Sequence, residues 1–168
     1  MHSFQPFDVT QLDINPFTLI SEDWGVLTAM ADGKCNSMTI SWGGMGVLWG
    51  KNVVTVYVRE SRFTKELLDK SDSFSITFLK ENQRNLLKYL GSVSGRDEDK
   101  YKTAKVKINL HNGVPFLDEG YFAVIAKKLA AYPMPKDGFI APDIDSEWYP
   151  NDDYHTMYIG EITEFMAR

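Results

Sequence analysis

The run Val53-Val54-Thr55-Val56-Tyr57-Val58 constrains this chain more than any other stretch. Six consecutive β-branched or aromatic residues read as a strand. Two polar segments flank it: Asn36-Ser37-Met38-Thr39-Ile40-Ser41-Trp42 before, and Ser61-Arg62-Phe63-Thr64 after. A strand that runs into Ser-Arg-x-Thr and then a helix offers hydroxyls, a guanidinium and the unpaired N–H groups of a helix start. All three suit phosphate oxygens. The earlier segment offers amide contacts to a flat polar ring, with Trp42 as an apolar wall. Each segment also has a plainer reading. Ser61 and Thr64 suit helix capping, and Asn36 to Ser41 suit a polar strand edge.

Composition narrows the class. A chain of 168 residues, 43% hydrophobic, is expected to form one domain, 1–168, that buries roughly 70% of its unfolded surface. The net charge of −5 argues against nucleic acid as a partner, since a phosphate backbone demands a basic face. No run of about 18 apolar residues occurs, so no membrane span is expected. Residues 1–16 lack a basic start and an apolar signal core. The single Cys35 cannot form an internal disulfide, which fits a cytoplasmic location.

Periodicity supplies the elements. Residues 1–16 hold aromatics and two prolines without a period, and read as an arm packed on the surface or on a second subunit. Strands are expected at 25–31, 38–42, 53–58, 73–79, 121–132 and 155–165, with a turn at Asp32-Gly33-Lys34. Helices are expected at 63–70 and 81–90, the second stopped by Gly91. Gly43-Gly44-Met45-Gly46 reads as a flexible loop, the charged stretch 94–103 as an exposed turn or short helix, and proline-rich 133–153 as a long loop. The sum is a mainly β, barrel-like domain with flanking helices.

Four pieces in this order resemble the flavin reductase-like family with its FMN-binding split-barrel fold. They are Asn36-Ser-Met-Thr, the stretch from Val54 to Thr64 ending in Ser-Arg-x-Thr, Ser73-Phe-Ser-Ile-Thr, and His155-Thr-Met-Tyr-Ile-Gly-Glu-Ile. The resemblance implies a six-stranded antiparallel split barrel, usually a homodimer, holding FMN noncovalently near the subunit interface. It also implies hydride transfer from NADH or NADPH to flavin. Where many relatives have a proline pair this chain has Gly50-Lys51, and where many have Gly-Asp-His it has Asp153-Tyr154-His155.

The expected cofactor-binding residues are therefore Asn36, Ser37, Met38, Thr39, Ser41, Trp42, Ser61, Arg62 and Thr64. His155 is a candidate proton source, because imidazole titrates near neutrality, against a packing role at a strand start. Lys127 or Lys128 is a candidate for positive charge near a reduced flavin. The acids between Asp143 and Asp153 lack calcium-loop spacing, so no metal is expected. Hydride passes between two rings without a protein nucleophile, leaving the protein to position the cofactor. The expected activity is an NAD(P)H-dependent flavin reductase. The alternative is an FMN-bound electron carrier served by a partner protein.

Overall fold

The computed structural model describes residues 3–168. In chain order these form β1 (Gln5–Phe7), α1 (Pro16–Thr18), β2 (Gly25–Ala31), β3 (Lys34–Ile40), β4 (Gly43–Leu48), β5 (Lys51–Arg59) and α2 (Phe63–Lys70). There follow β6 (Ser73–Phe78), α3 (Arg84–Ser92), α4 (Lys100–Ala104), β7 (Ile108–His111), β8 (Val114–Leu117), β9 (Phe122–Pro133), α5 (Pro142–Trp148) and β10 (His155–Ala167). One antiparallel sheet runs β3-β2-β6-β9-β10-β5-β4, with β1 added beside β10, and β7–β8 form a separate hairpin.

Six of these strands (β2, β3, β5, β6, β9 and β10) correspond to the expected six. The short β1 and the edge strand β4 make the sheet eight-stranded, and no ladder joins β3 to β4 among the described residues, so the barrel stays open. Three tight hairpins shape it. Asp32-Gly33, Trp49-Gly50 and Asn112-Gly113 all carry two consecutive positive φ angles, the signature of type I′ turns whose twist matches that of paired strands.

Alternation builds the core. Val54, Val56 and Val58 of β5 point inward against Phe74, Ile76 and Phe78 of β6, Val124 of β9, and Tyr158 and Phe165 of β10. The opposite face of β6 is buried too, because the β7–β8 hairpin covers it. Ser75 Oγ donates to the Pro115 carbonyl at 2.6 Å, and the Leu117 N–H donates to Thr77 Oγ1 at 3.2 Å. Both hydroxyls are thus paired inside the protein, as buried polar groups must be.

Several expectations are corrected. Gly43 to Gly46 is not a flexible loop but the start of β4, laddered on β5 from Gly43↔Val56 to Leu48↔Lys51. The stretch 133–153 carries α5, which Pro142 opens at its first turn, where a missing N–H costs nothing. Helix α3 runs through Gly91 to Ser92. The arm adds β1 to β10 through Phe7↔Phe165 and buries Phe4, whereas Phe17 just beyond it stays well exposed.

Candidate active site

The site lies at the seam of the open barrel. Strand β3 ends at Ile40 and β4 begins at Gly43, so Ser41 and Trp42 alone connect the two outermost strands of the seven-strand path. Three backbone steps span at most about 11 Å, so the sheet must curl until its margins meet here. Gly43 allows the join: a Cβ at that position would sit 2.6 Å from the Thr55 carbonyl oxygen. Where the margins diverge, a groove opens.

Each side of the groove follows from strand periodicity. With Val54, Val56 and Val58 inward, Tyr57 and Arg59 of β5 fall on the groove face. The β5–β10 register sets His155 directly opposite Arg59. Opposite them, Trp42 stands with its ring centroid 5.1 Å from that of His155 and 5.1 Å from Trp148 of α5. The segment after α5 closes over this end. Arg59 donates from Nη1 to the Asp153 carbonyl at 2.8 Å and from Nη2 to the Trp148 carbonyl at 3.0 Å.

The groove has two chemically distinct ends. One is a pocket of ≈ 170 Å³ that both Arg59 and Arg62 line, with Met38, Thr39 and Ser41. Arg62 donates from Nη1 to the Gly91 carbonyl at 3.1 Å. Among the described residues neither guanidinium is ion-paired, since the hydrogen bonds of both go to backbone carbonyls. The other end is a cavity of ≈ 650 Å³ bordered by Phe17, Ile20, Met45, Phe139, Ile144 and Trp148. Ser41, Trp42, Tyr57 and His155 border both. Among the described residues, no Asp, Glu, Lys or Arg side chain lines the larger end.

His155 is buried, and Nδ1 lies 2.8 Å from the Tyr149 hydroxyl. Burial, and then the positive charges of Arg59 and Arg62, push its pKa down to about 4 against an opposing pull from Asp153. Burial also raises the Tyr149 phenol, which stays protonated. At pH 7 His155 is therefore a neutral imidazole with no imidazolium proton to donate. This corrects the reading of it as a proton source.

The expected site residues divide along the length of β3, its C-terminal end facing the groove. Met38, Thr39, Ser41, Trp42 and Arg62 meet at the groove together with His155. Asn36, Ser37 and Thr64 are buried elsewhere, in a polar cluster beneath residues 94–101. There Asn36 Nδ2 donates to Thr64 Oγ1 at 2.8 Å. The Ser37 hydroxyl lies 2.8 Å from that of Thr28 and 2.9 Å from that of Tyr101. Lys100 is buried in the same cluster, donating to the Ser37 and Leu90 carbonyls, and this desolvation lowers its pKa to about 8. Ser61 bonds Asp153 at the groove rim. The helix α2 that follows has Arg62 at its N-cap with no side-chain cap bond, so neither Ser61 nor Thr64 caps it.

Other candidates lie apart. Lys128 donates to the Leu68 and Asp69 carbonyls at the C-terminal end of α2, where a cation complements the helix dipole. Lys127 is exposed and paired in register with Ser73 and Glu161. Neither lines the groove. Burial raises the Cys35 thiol, which contacts the Tyr101 hydroxyl at 3.3 Å, so it is not an activated thiolate. Arg59, Tyr57, Trp148 and Tyr149 escaped the sequence reading. The alternation of β5 was the available signal for Tyr57 and Arg59.

A family model described as flavin reductase like domain matches residues 19–168. Among solved structures, an FMN-binding domain of a flavin reductase-like enzyme from Shewanella baltica OS155 superposes with a TM-score of 0.71 at 19% identity. It covers 99% of this chain and 78% of its own. Flavoredoxin of Desulfovibrio vulgaris (Miyazaki F) gives 0.70 at 17% identity, covering 98% and 77%. The styrene monooxygenase flavin reductase of Pseudomonas putida S12 gives 0.63 at 16% identity, covering 86% and 79%. No curated protein sequence matches the chain.

Proposed function

Because this chain belongs to the flavin reductase-like family, we propose that it binds FMN in the two-ended groove and acts as an NAD(P)H-dependent flavin reductase. The observation that carries this reading is the union of two ion-unpaired guanidiniums with an uncharged aromatic cavity. A phosphate on a ribityl arm and a flat ring demand such a pair of environments in one ligand. Bound FMN would accept a hydride from a nicotinamide and pass the electrons onward.

The chain's own residues have three tasks. Arg62 and Arg59 hold the phosphate end. Met38, Thr39, Ser41 and Trp42, on and just beyond β3, orient the ring edge, while Asn36, Ser37 and Thr64 keep β3 rigid from behind. The cavity walls, Met45, Ile144 and Trp148 among them, exclude water and leave room for a second flat ring against the first. Neutral His155, wedged between Trp42 and Tyr149, shapes this wall without supplying a proton.

The homodimer belongs to the same proposal. Phe17 (81% exposed) and Val47 (74% exposed) supply apolar surface for it. A cytoplasmic location is also part of it.

The deciding experiment is an absorbance scan of purified protein, followed by anaerobic titration with NADH and with NADPH. The expected result is a yellow protein whose flavin bands bleach with one or both. A protein that stays colourless after incubation with FMN overturns the reading. FMN bands that neither nicotinamide bleaches replace the reductase with the electron carrier.

A further inference from the structure

At the rim of the arginine-lined end of the groove stands Asp153. Its carboxylate takes both donors of Ser61 at once: the backbone N–H at 3.0 Å to Oδ1 and the hydroxyl at 2.6 Å to Oδ2. Its carbonyl accepts from Arg59 Nη1 at 2.8 Å. One residue thereby occupies donors of both neighbours that flank Glu60 and the start of α2. It is held there by backbone geometry. Asp152 adopts a left-handed conformation at φ 55°, and the Glu60 N–H donates to the Tyr154 carbonyl at 3.0 Å, which locks the strand entry beside β5.

A carboxylate here matters because it carries the same charge sign as the group that the two guanidiniums attract. Its negative charge also reaches the centre of the groove, where it opposes Arg59 and Arg62 in setting the state of His155. A dianionic phosphate arriving beside Arg62 finds the Ser61 donors already spent on an anion, and that anion repels it. An uncharged ribityl end meets no such opposition.

We propose that Asp153 is a specificity-determining residue that weakens the preference of this groove for phosphorylated flavin, so that riboflavin competes with FMN. This rests on the reading of the groove as a flavin site. Asp153 lines neither end of the groove. It acts by setting the charge balance and the donors left over at the phosphate end.

The test is a pair of fluorescence titrations of the flavin-free full-length chain, one with FMN and one with riboflavin. They are made on the parent, Asp153→Asn, Asp153→Ser and Asp152→Asn. Both replacements at 153 are neutral and can still accept from Ser61, so the result does not depend on one variant folding. Asp152 is the control: its carboxylate pairs with Lys136 and Tyr154. The expected result is a rise of at least about tenfold in the ratio of riboflavin Kd to FMN Kd in either Asp153 variant. The riboflavin Kd should stay near that of the parent, as should the ratio in Asp152→Asn.

A merely structural pin would weaken both flavins together and leave the ratio where it was. That outcome overturns the proposal, and so does an equal rise in Asp152→Asn. A parent chain that binds neither flavin instead strikes the functional reading beneath it.

Discussion

Arg59 and His155 face each other across the β5–β10 ladder, and the guanidinium that adds to burial in depressing the imidazole pKa also staples the end of α5 over the groove. This pairing makes stability depend on pH in a defined window. The folded pKa of about 4 lies below the ordinary 6.5, so the unfolded chain binds the extra proton first. Stability from this group is fully present above pH 6.5 and is lost as pH falls toward 4. The loss should amount to about 2–3 kcal/mol. Urea melts of the parent and His155→Phe across that range should diverge, the parent falling more steeply; parallel curves would show that His155 is not held neutral.

Arg62→Ala removes one charge-assisted contact from the phosphate end. FMN affinity should fall by roughly 1.5–3 kcal/mol, while riboflavin affinity changes little. Arg62 also caps α3 through the Gly91 carbonyl, so a small drop in thermal midpoint should accompany it. Isothermal titration with the two flavins reads both affinities, and an unchanged FMN Kd would remove Arg62 from the site.

Gly43→Val tests the seam. The new side chain would begin 2.6 Å from the Thr55 carbonyl oxygen, a backbone atom that cannot step aside. The β4–β5 ladder should open at this end and carry Trp42 with it. A stability loss of about 2 kcal/mol or more is expected, together with weaker flavin binding. Gly46→Val, on the same strand with open space around it, should fold normally.

Ser75→Ala tests the hairpin that covers β6. It leaves the buried Pro115 carbonyl without its 2.6 Å partner, at a cost of about 1–3 kcal/mol. The groove is not involved, so the flavin Kd of the folded fraction should match the parent. Denaturant unfolding and one flavin titration check both halves.

The long strands and α2 were readable from the chain because each has a strong period and a clear stop. Phe63–Lys70 emerged with its observed limits. The β7–β8 hairpin was missed although Asn112-Gly113 is a strong turn signal. His111, Val114 and Pro115 around it lack a clean alternation, and the hairpin is fixed instead by its grip on Ser75 and Thr77. Strand β4 was missed because glycine carries no strand preference; its pairing depends on a close approach to β5 that only the assembled sheet reveals. In the site, residue types pointed to the right neighbourhood but not to side-chain direction. Alternation along β3 sends Ser37 to Tyr101 and Thr39 toward α3, and the proline-rich segment that supplies Trp148 and Tyr149 showed no period of its own.

The two-residue link between Ile40 and Gly43 also bears on how the chain assembles. Strands β3 and β4 are immediate neighbours along the chain, yet they are the most distant members of the hydrogen-bonded path. The hydrogen-bonded path that joins them runs through the β6–β9 and β5–β10 pairings, which close much longer loops. The groove is therefore expected to form late in refolding. A ligand seated there should slow the unfolding rate while leaving the refolding rate nearly untouched.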